Sequence, residues 1–106
     1  MKKKYKEIAE EFIEGVKNKY EDNIVEIILF GSVAKGTENN FSDIDMLIIC
    51  KKNRFKLRRK IMGDVIKFLL NYNVYISVKT LTQNEFNSLK HTGFINQISQ
   101  EGVVIG

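Results

Sequence analysis

Gly31-Ser32 closes one apolar run, Ile24–Phe30, and Asp43-Ile44-Asp45 opens another, Met46–Cys50. Two β-branched-rich runs of strand length, joined by a polar turn-rich segment, demand a sheet with both strands largely covered. A glycine-serine turn leaving one strand and two acids on the next also suit a metal–triphosphate. The chain has 106 residues, which places this pair of strands in a single domain, 1–106, with a modest core.

The remaining pattern supplies the cover. Residues 2–20 read as an amphipathic helix, with Ile8, Phe12, Ile13, Val16 and Tyr20 near helical spacing. Asp22-Asn23 breaks it, and Glu26 alone interrupts the apolar run that follows. One short helical turn is expected near Val33–Lys35, and a second strand over Ser42–Cys50. A second helix covers 54–71, with Gly63 weakening it, and a third strand runs Val74–Thr80. Thr82 followed by Glu85 is a capping-box signature for a third helix, which pauses at Thr92-Gly93 and resumes through Ile98. Gly102–Ile105 reads as a short closing strand. This order predicts an α/β (α+β) fold: a small mixed β-sheet packed by helices.

On a strand, Asp43 and Asp45 project from one face, roughly 6–7 Å apart at the backbone. Their oxygens suit a hard cation such as Mg²⁺, which keeps phosphate and water in its other positions. An isolated Asp-x-Asp is a weak signal, but the glycine turn before it sharpens the reading. Gly31 permits close approach of phosphate to backbone N–H groups, Ser32 offers a hydroxyl, and Lys35 offers a positive charge. A P-loop is excluded, because Gly36 is followed by Thr37 and not by Lys.

Leu29-Phe30-Gly31-Ser32-Val33-Ala34-Lys35-Gly36, followed by Ser42-Asp43-Ile44-Asp45-Met46-Leu47-Ile48, closely resembles the signature of the polymerase-beta-like nucleotidyltransferase superfamily. The small size resembles its minimal nucleotidyltransferase branch. The resemblance implies the nucleotidyltransferase fold, with Gly31, Ser32 and Lys35 on the nucleotide and Asp43 and Asp45 as catalytic residues holding Mg²⁺. It further implies ATP as substrate, AMP transfer to a protein, and a HEPN-type helical partner in a toxin–antitoxin pair. The alternative is a weak or inactive nucleotide-binding protein that neutralises its partner by stoichiometric contact.

The chain departs from that pattern in one respect. Many relatives carry a third carboxylate on a neighbouring strand, and the matching positions here are Tyr75, Ser77 and Lys79. Asp64 and Glu85 are on predicted helices and are poor substitutes. Val33 stands where many relatives have an arginine.

Charge and cysteine usage add context. The net charge of +4 comes largely from Lys51, Lys52, Arg54, Lys56, Arg58, Arg59 and Lys60. No aromatic ladder or nucleic-acid motif accompanies this cluster, and nucleic-acid binding through it ranks last because no added domain is expected to position a polynucleotide. His91 reads as a helix-end residue and Cys50, the single cysteine, as core. No membrane span or leader is expected, the expected setting is cytoplasmic, and a homo- or hetero-oligomer is compatible with the size.

Overall fold

The computed structural model describes residues 2–39 and 41–105. Nine elements follow in order: α1 (Lys2–Tyr20), β1 (Ile24–Phe30), α2 (Gly31–Lys35), β2 (Ile44–Cys50), α3 (Arg54–Tyr72), β3 (Ile76–Thr82), α4 (Gln83–Leu89), α5 (Gly93–Glu101) and β4 (Val103–Val104). The strands form one mixed sheet in the order β3-β2-β1-β4. β1 runs antiparallel to β2 and β4, while β2 and β3 are parallel, joined across α3.

The two central strands are apolar on both faces because both faces are covered. On one face Ile27, Leu29, Ile44, Met46 and Ile48 pack with α1 and α3, through residues such as Phe12, Val16, Ile61 and Val65. On the other, Ile28, Leu47 and Ile49 pack with Phe86 of α4 and Ile98 of α5. Two polar clasps tie α1 to α3: Lys19 Nζ lies 2.7 Å from Asp64 Oδ1, and the Tyr72 hydroxyl donates to Glu11 at 2.8 Å. Cys50 is fully buried.

Five elements differ in their bounds from the sequence expectation, β4 among them, which is confined to Val103–Val104 within the expected Gly102–Ile105. Helix α2 starts at Gly31, not Val33, because Gly31 takes a positive φ of 79° and turns the chain directly out of extended Phe30. Strand β2 starts at Ile44, which leaves Ser42 and Asp43 outside it. Strand β3 starts two residues late, at Ile76, and runs to Thr82, since its ladder begins only where Ile44 faces Ile76. Helix α3 extends through Tyr72 and stops at left-handed Asn73. Val74, Ile76 and Val78 alternate along this segment and are all buried.

Candidate active site

The site forms where β1 ends and β2 begins. Antiparallel pairing sets Phe30 opposite Asp45, and parallel pairing sets Ser77 on the other side of Asp45. The strand's period of two turns Asp45 to the face carrying α4 and α5. There, half-buried Asp45 lies so close to Gly31 that any Cβ at position 31 would collide with its carboxylate. Glycine at 31 is therefore required twice, once for φ and once for space.

Behind the turn, the chain is fixed by local hydrogen bonds. Thr37 N–H donates to Ser32 O at 2.9 Å, with Gly36 in the left-handed region closing α2. Asn39 and Ser42 bond reciprocally: Asn39 N–H donates to Ser42 Oγ at 2.9 Å and Ser42 N–H to Asn39 O at 3.1 Å. Ile44 N–H then donates to Tyr75 O at 3.0 Å, which starts the parallel ladder one residue after Asp43.

Gly31, Lys35 and Asp45 line one cleft of about 340 Å³ with Ser77 and Lys79, and Phe94, Gln97 and Glu101 of α5 close the opposite wall. Ser32 and Asp43 are not part of that wall, although Ser32 adjoins Gly31 in α2. Exposed Asp43 still acts on Asp45. Burial pushes the Asp45 carboxyl above its ordinary value, the Asp43 charge adds to this, and the Lys79 ammonium opposes it.

Two hard carboxylate oxygen donors, with Asp43 charge raising the pKa of Asp45, fit a divalent cation whose charge would relieve that repulsion. Among the described residues, no group of three or more His, Cys, Asp or Glu is arranged to hold a metal. Ser77 occupies the position beside Asp45. Asp64 is engaged by Lys19. Glu85 is held by the Thr82 cap and by Arg54 Nε at 2.8 Å, so neither is free to complete the set.

Other residues singled out by sequence fall outside the cleft. His91 is exposed between α4 and α5. Within the basic cluster, Arg54 pairs with Glu85 and Arg58 Nε donates to Val78 O at 3.2 Å, while Lys51, Lys52, Lys56, Arg59 and Lys60 face solvent. Sequence reasoning missed the α5 wall. Its only signal was the Gln97 and Glu101 spacing of four beside the apolar row, which marks one helix face but not what that face meets.

Comparison with known proteins agrees with this geometry. Residues 9–105 match the nucleotidyltransferase domain family. The Methanocaldococcus jannaschii protein named "Putative protein adenylyltransferase MJ1305" is 40% identical over 74 residues, 66% of this chain and 50% of that protein. The chain thus spans half the length of that relative. A second protein of the same organism, "Putative protein adenylyltransferase MJ0604", is 34% identical over 90% of this chain and 91% of its own length. The crystal structure of a Sulfolobus solfataricus "putative nucleotidyltransferase" superimposes with a TM-score of 0.57 at 24% identity, covering 92% of this chain and 76% of that one, and so shares the fold. The chain belongs to the nucleotidyltransferase domain family and is an enzyme of the nucleotidyltransferase type.

Proposed function

We propose that this chain transfers AMP from ATP to a hydroxyl on a protein partner, as the antitoxin of a pair with a HEPN-type helical protein in the cytoplasm. The observation that carries the reading is the packing of Asp45 against Gly31 inside one cleft. The acceptor hydroxyl gives its proton to water as its oxygen attacks the α-phosphorus, the bond from that phosphorus to the β-phosphate oxygen breaks, and pyrophosphate leaves. Gly31, Ser32 and Lys35 hold the polyphosphate through backbone N–H groups, a hydroxyl and an ammonium. Asp43 and Asp45 would hold Mg²⁺, which supplies charge stabilisation on the phosphoryl oxygens when bound.

A protein acceptor is favoured by two features. The first two relatives carry the name protein adenylyltransferase. The outer face of α3 also exposes Phe55, Ile66 and Leu70, the last 80% exposed, an apolar row suited to a partner surface. Among the described residues, no helix is long and apolar enough to cross a membrane.

A second reading has its own observation. Ser77, not an acid, stands beside Asp45, which removes a base worth about 10²–10⁴ in rate when well placed. Neutralisation by stoichiometric contact would survive that loss. Co-expression with a HEPN-type partner separates the two. Transfer predicts an AMP mass shift on the partner that an Asp43→Ala/Asp45→Ala double variant abolishes. Stoichiometric binding predicts no shift and undiminished neutralisation by the double variant.

A further inference from the structure

Lys79 lies on the wall of the cleft that holds Asp45. It follows Ser77 by two residues on β3, so both side chains leave the sheet on the same face. Ser77 pairs with Asp45 and Lys79 with Leu47, the next residue of β2 on that face. β3 therefore offers the site a hydroxyl beside the carboxylate and, two residues along the strand, an ammonium on an exposed lysine.

That ammonium is positioned. Lys79 Nζ lies over the Phe94 ring, 5.9 Å from its centroid. The Phe94 ring in turn stands edge-to-face against Phe30 at 5.8 Å. A cation over an aromatic face is attracted by the ring quadrupole, so the Phe30–Phe94 pair keeps Nζ at the cleft. Its charge acts on Asp45 across the cleft, but among the described residues no carboxylate forms an ion pair with it within 4.0 Å, so the ammonium can still meet a ligand. Lys35 lines the same cleft from the Gly31 side, so an entering polyphosphate meets a lysine from α2 and a lysine from β3.

Charge bookkeeping gives the role. Three carboxylates around two divalent ions present one net positive charge to a polyphosphate. Here Lys35 and Glu101, on facing walls of the cleft, cancel, and the two carboxylates, the Lys79 ammonium and one divalent ion present the same. We infer that Lys79 is a resident phosphate-binding cation that replaces the second divalent ion, so that this site takes a nucleoside triphosphate with a single metal. Lysine binds phosphate as a point charge and needs no bidentate geometry. The inference rests on the nucleotidyltransferase reading and deepens it.

The test is calorimetric titration with α,β-methylene ATP, in EDTA and in Mg²⁺, on wild type, Lys79→Gln and Lys79→Arg. Wild type and Lys79→Arg are expected to bind in Mg²⁺ and to weaken in EDTA, and Lys79→Gln to lose about tenfold or more in Mg²⁺, the size of a charge-assisted contact. Titration with Mn²⁺ in the presence of the analogue, read by electron paramagnetic resonance, is expected to give one ion per wild-type chain. A Ser77→Asp/Lys79→Val double variant is expected to take two. Equal binding in Mg²⁺ by wild type and Lys79→Gln, or two Mn²⁺ ions on wild type, overturns the inference and leaves the transferase reading standing. No binding by wild type with or without Mg²⁺ overturns both.

Discussion

Asp45 and Gly31 interlock: the carboxylate of one fills the space that a side chain on the other would need. The acid is on β2 and the glycine on the turn after β1, so the antiparallel pairing that sets Phe30 opposite Asp45 also builds this contact.

Gly31→Ala is therefore expected to damage fold and site together. The left-handed backbone at φ 79° costs an L-residue roughly 1–2 kcal/mol, and the displaced Asp45 adds to it. Urea unfolding should move to lower denaturant by at least that amount, with loss of nucleotide binding. Unchanged stability would refute the interlock.

Asp45→Asn is expected to trade activity for stability. The carboxyl is raised above its ordinary value of 3.8 by burial, with Asp43 adding to this. A raised carboxyl means the folded state holds its proton longer than the unfolded chain does. Stability therefore falls as pH rises from that ordinary value through the folded value, and stays lower above it. The variant should be more stable than wild type near neutral pH, with the gain vanishing below the ordinary carboxylate value. Transfer should fall about 10²-fold or more, as expected for a metal ligand worth several kcal/mol. Thermal melts across pH provide the check.

Thr82→Ala should destabilise by about 1 kcal/mol, the usual worth of an N-cap. Thr82 Oγ1 accepts from Glu85 N–H at 3.2 Å, and Glu85 Oε1 accepts from Thr82 N–H at 2.9 Å. That second bond is the main cause of the lowered Glu85 pKa, with Arg54 assisting. A lowered carboxyl contributes stability above its ordinary value of 4.5 that is lost as pH falls through the folded value. The backbone N–H at position 82 still donates to Glu85 in the Thr82→Ala variant, so it is Glu85→Gln that should show a shallower loss of stability on acidification, measured by denaturant midpoints.

Gly63→Ala should stabilise the protein by about 1 kcal/mol, the propensity difference in a helix interior. An added Cβ there meets nothing within 4 Å. The same variant probes the partner surface, because Gly63 is exposed on α3 between Phe55 and Leu70. Tighter folding with weakened partner binding would place the partner on this helix.

Much of this architecture was legible in the chain. Periodicity located α1, α3 and the central strands, and the Thr82–Glu85 spacing marked the start of α4, because each is a local property of side chains. Boundaries set by pairing were not. Val74 is as apolar and buried as Ile76, yet the ladder starts at Ile76 because Ile44 is its partner. The site divided the same way. The glycine turn and the two acids are close in sequence and carry their own spacing. The far wall, Phe94, Gln97 and Glu101, comes from a helix whose placement depends on Ile98 packing into the core on Ile28 and Leu47. No local pattern encodes that meeting.

Glu26 interrupts the apolar run of β1, and the sheet supplies the reason. β4 covers the outer edge of β1 only from Ile27 to Leu29, through two paired positions and the bond from Ile105 N–H to Ile27 O. Beyond it the edge is open, and there the strand carries both a break in register between Ile24 and Glu26 and the charge of Glu26 itself. A bulge and a charge are two ways of refusing a foreign strand. The stretch that leads into the glycine turn is thereby kept from pairing with its own copies, and Glu26→Val is expected to aggregate more readily than wild type, as read by light scattering.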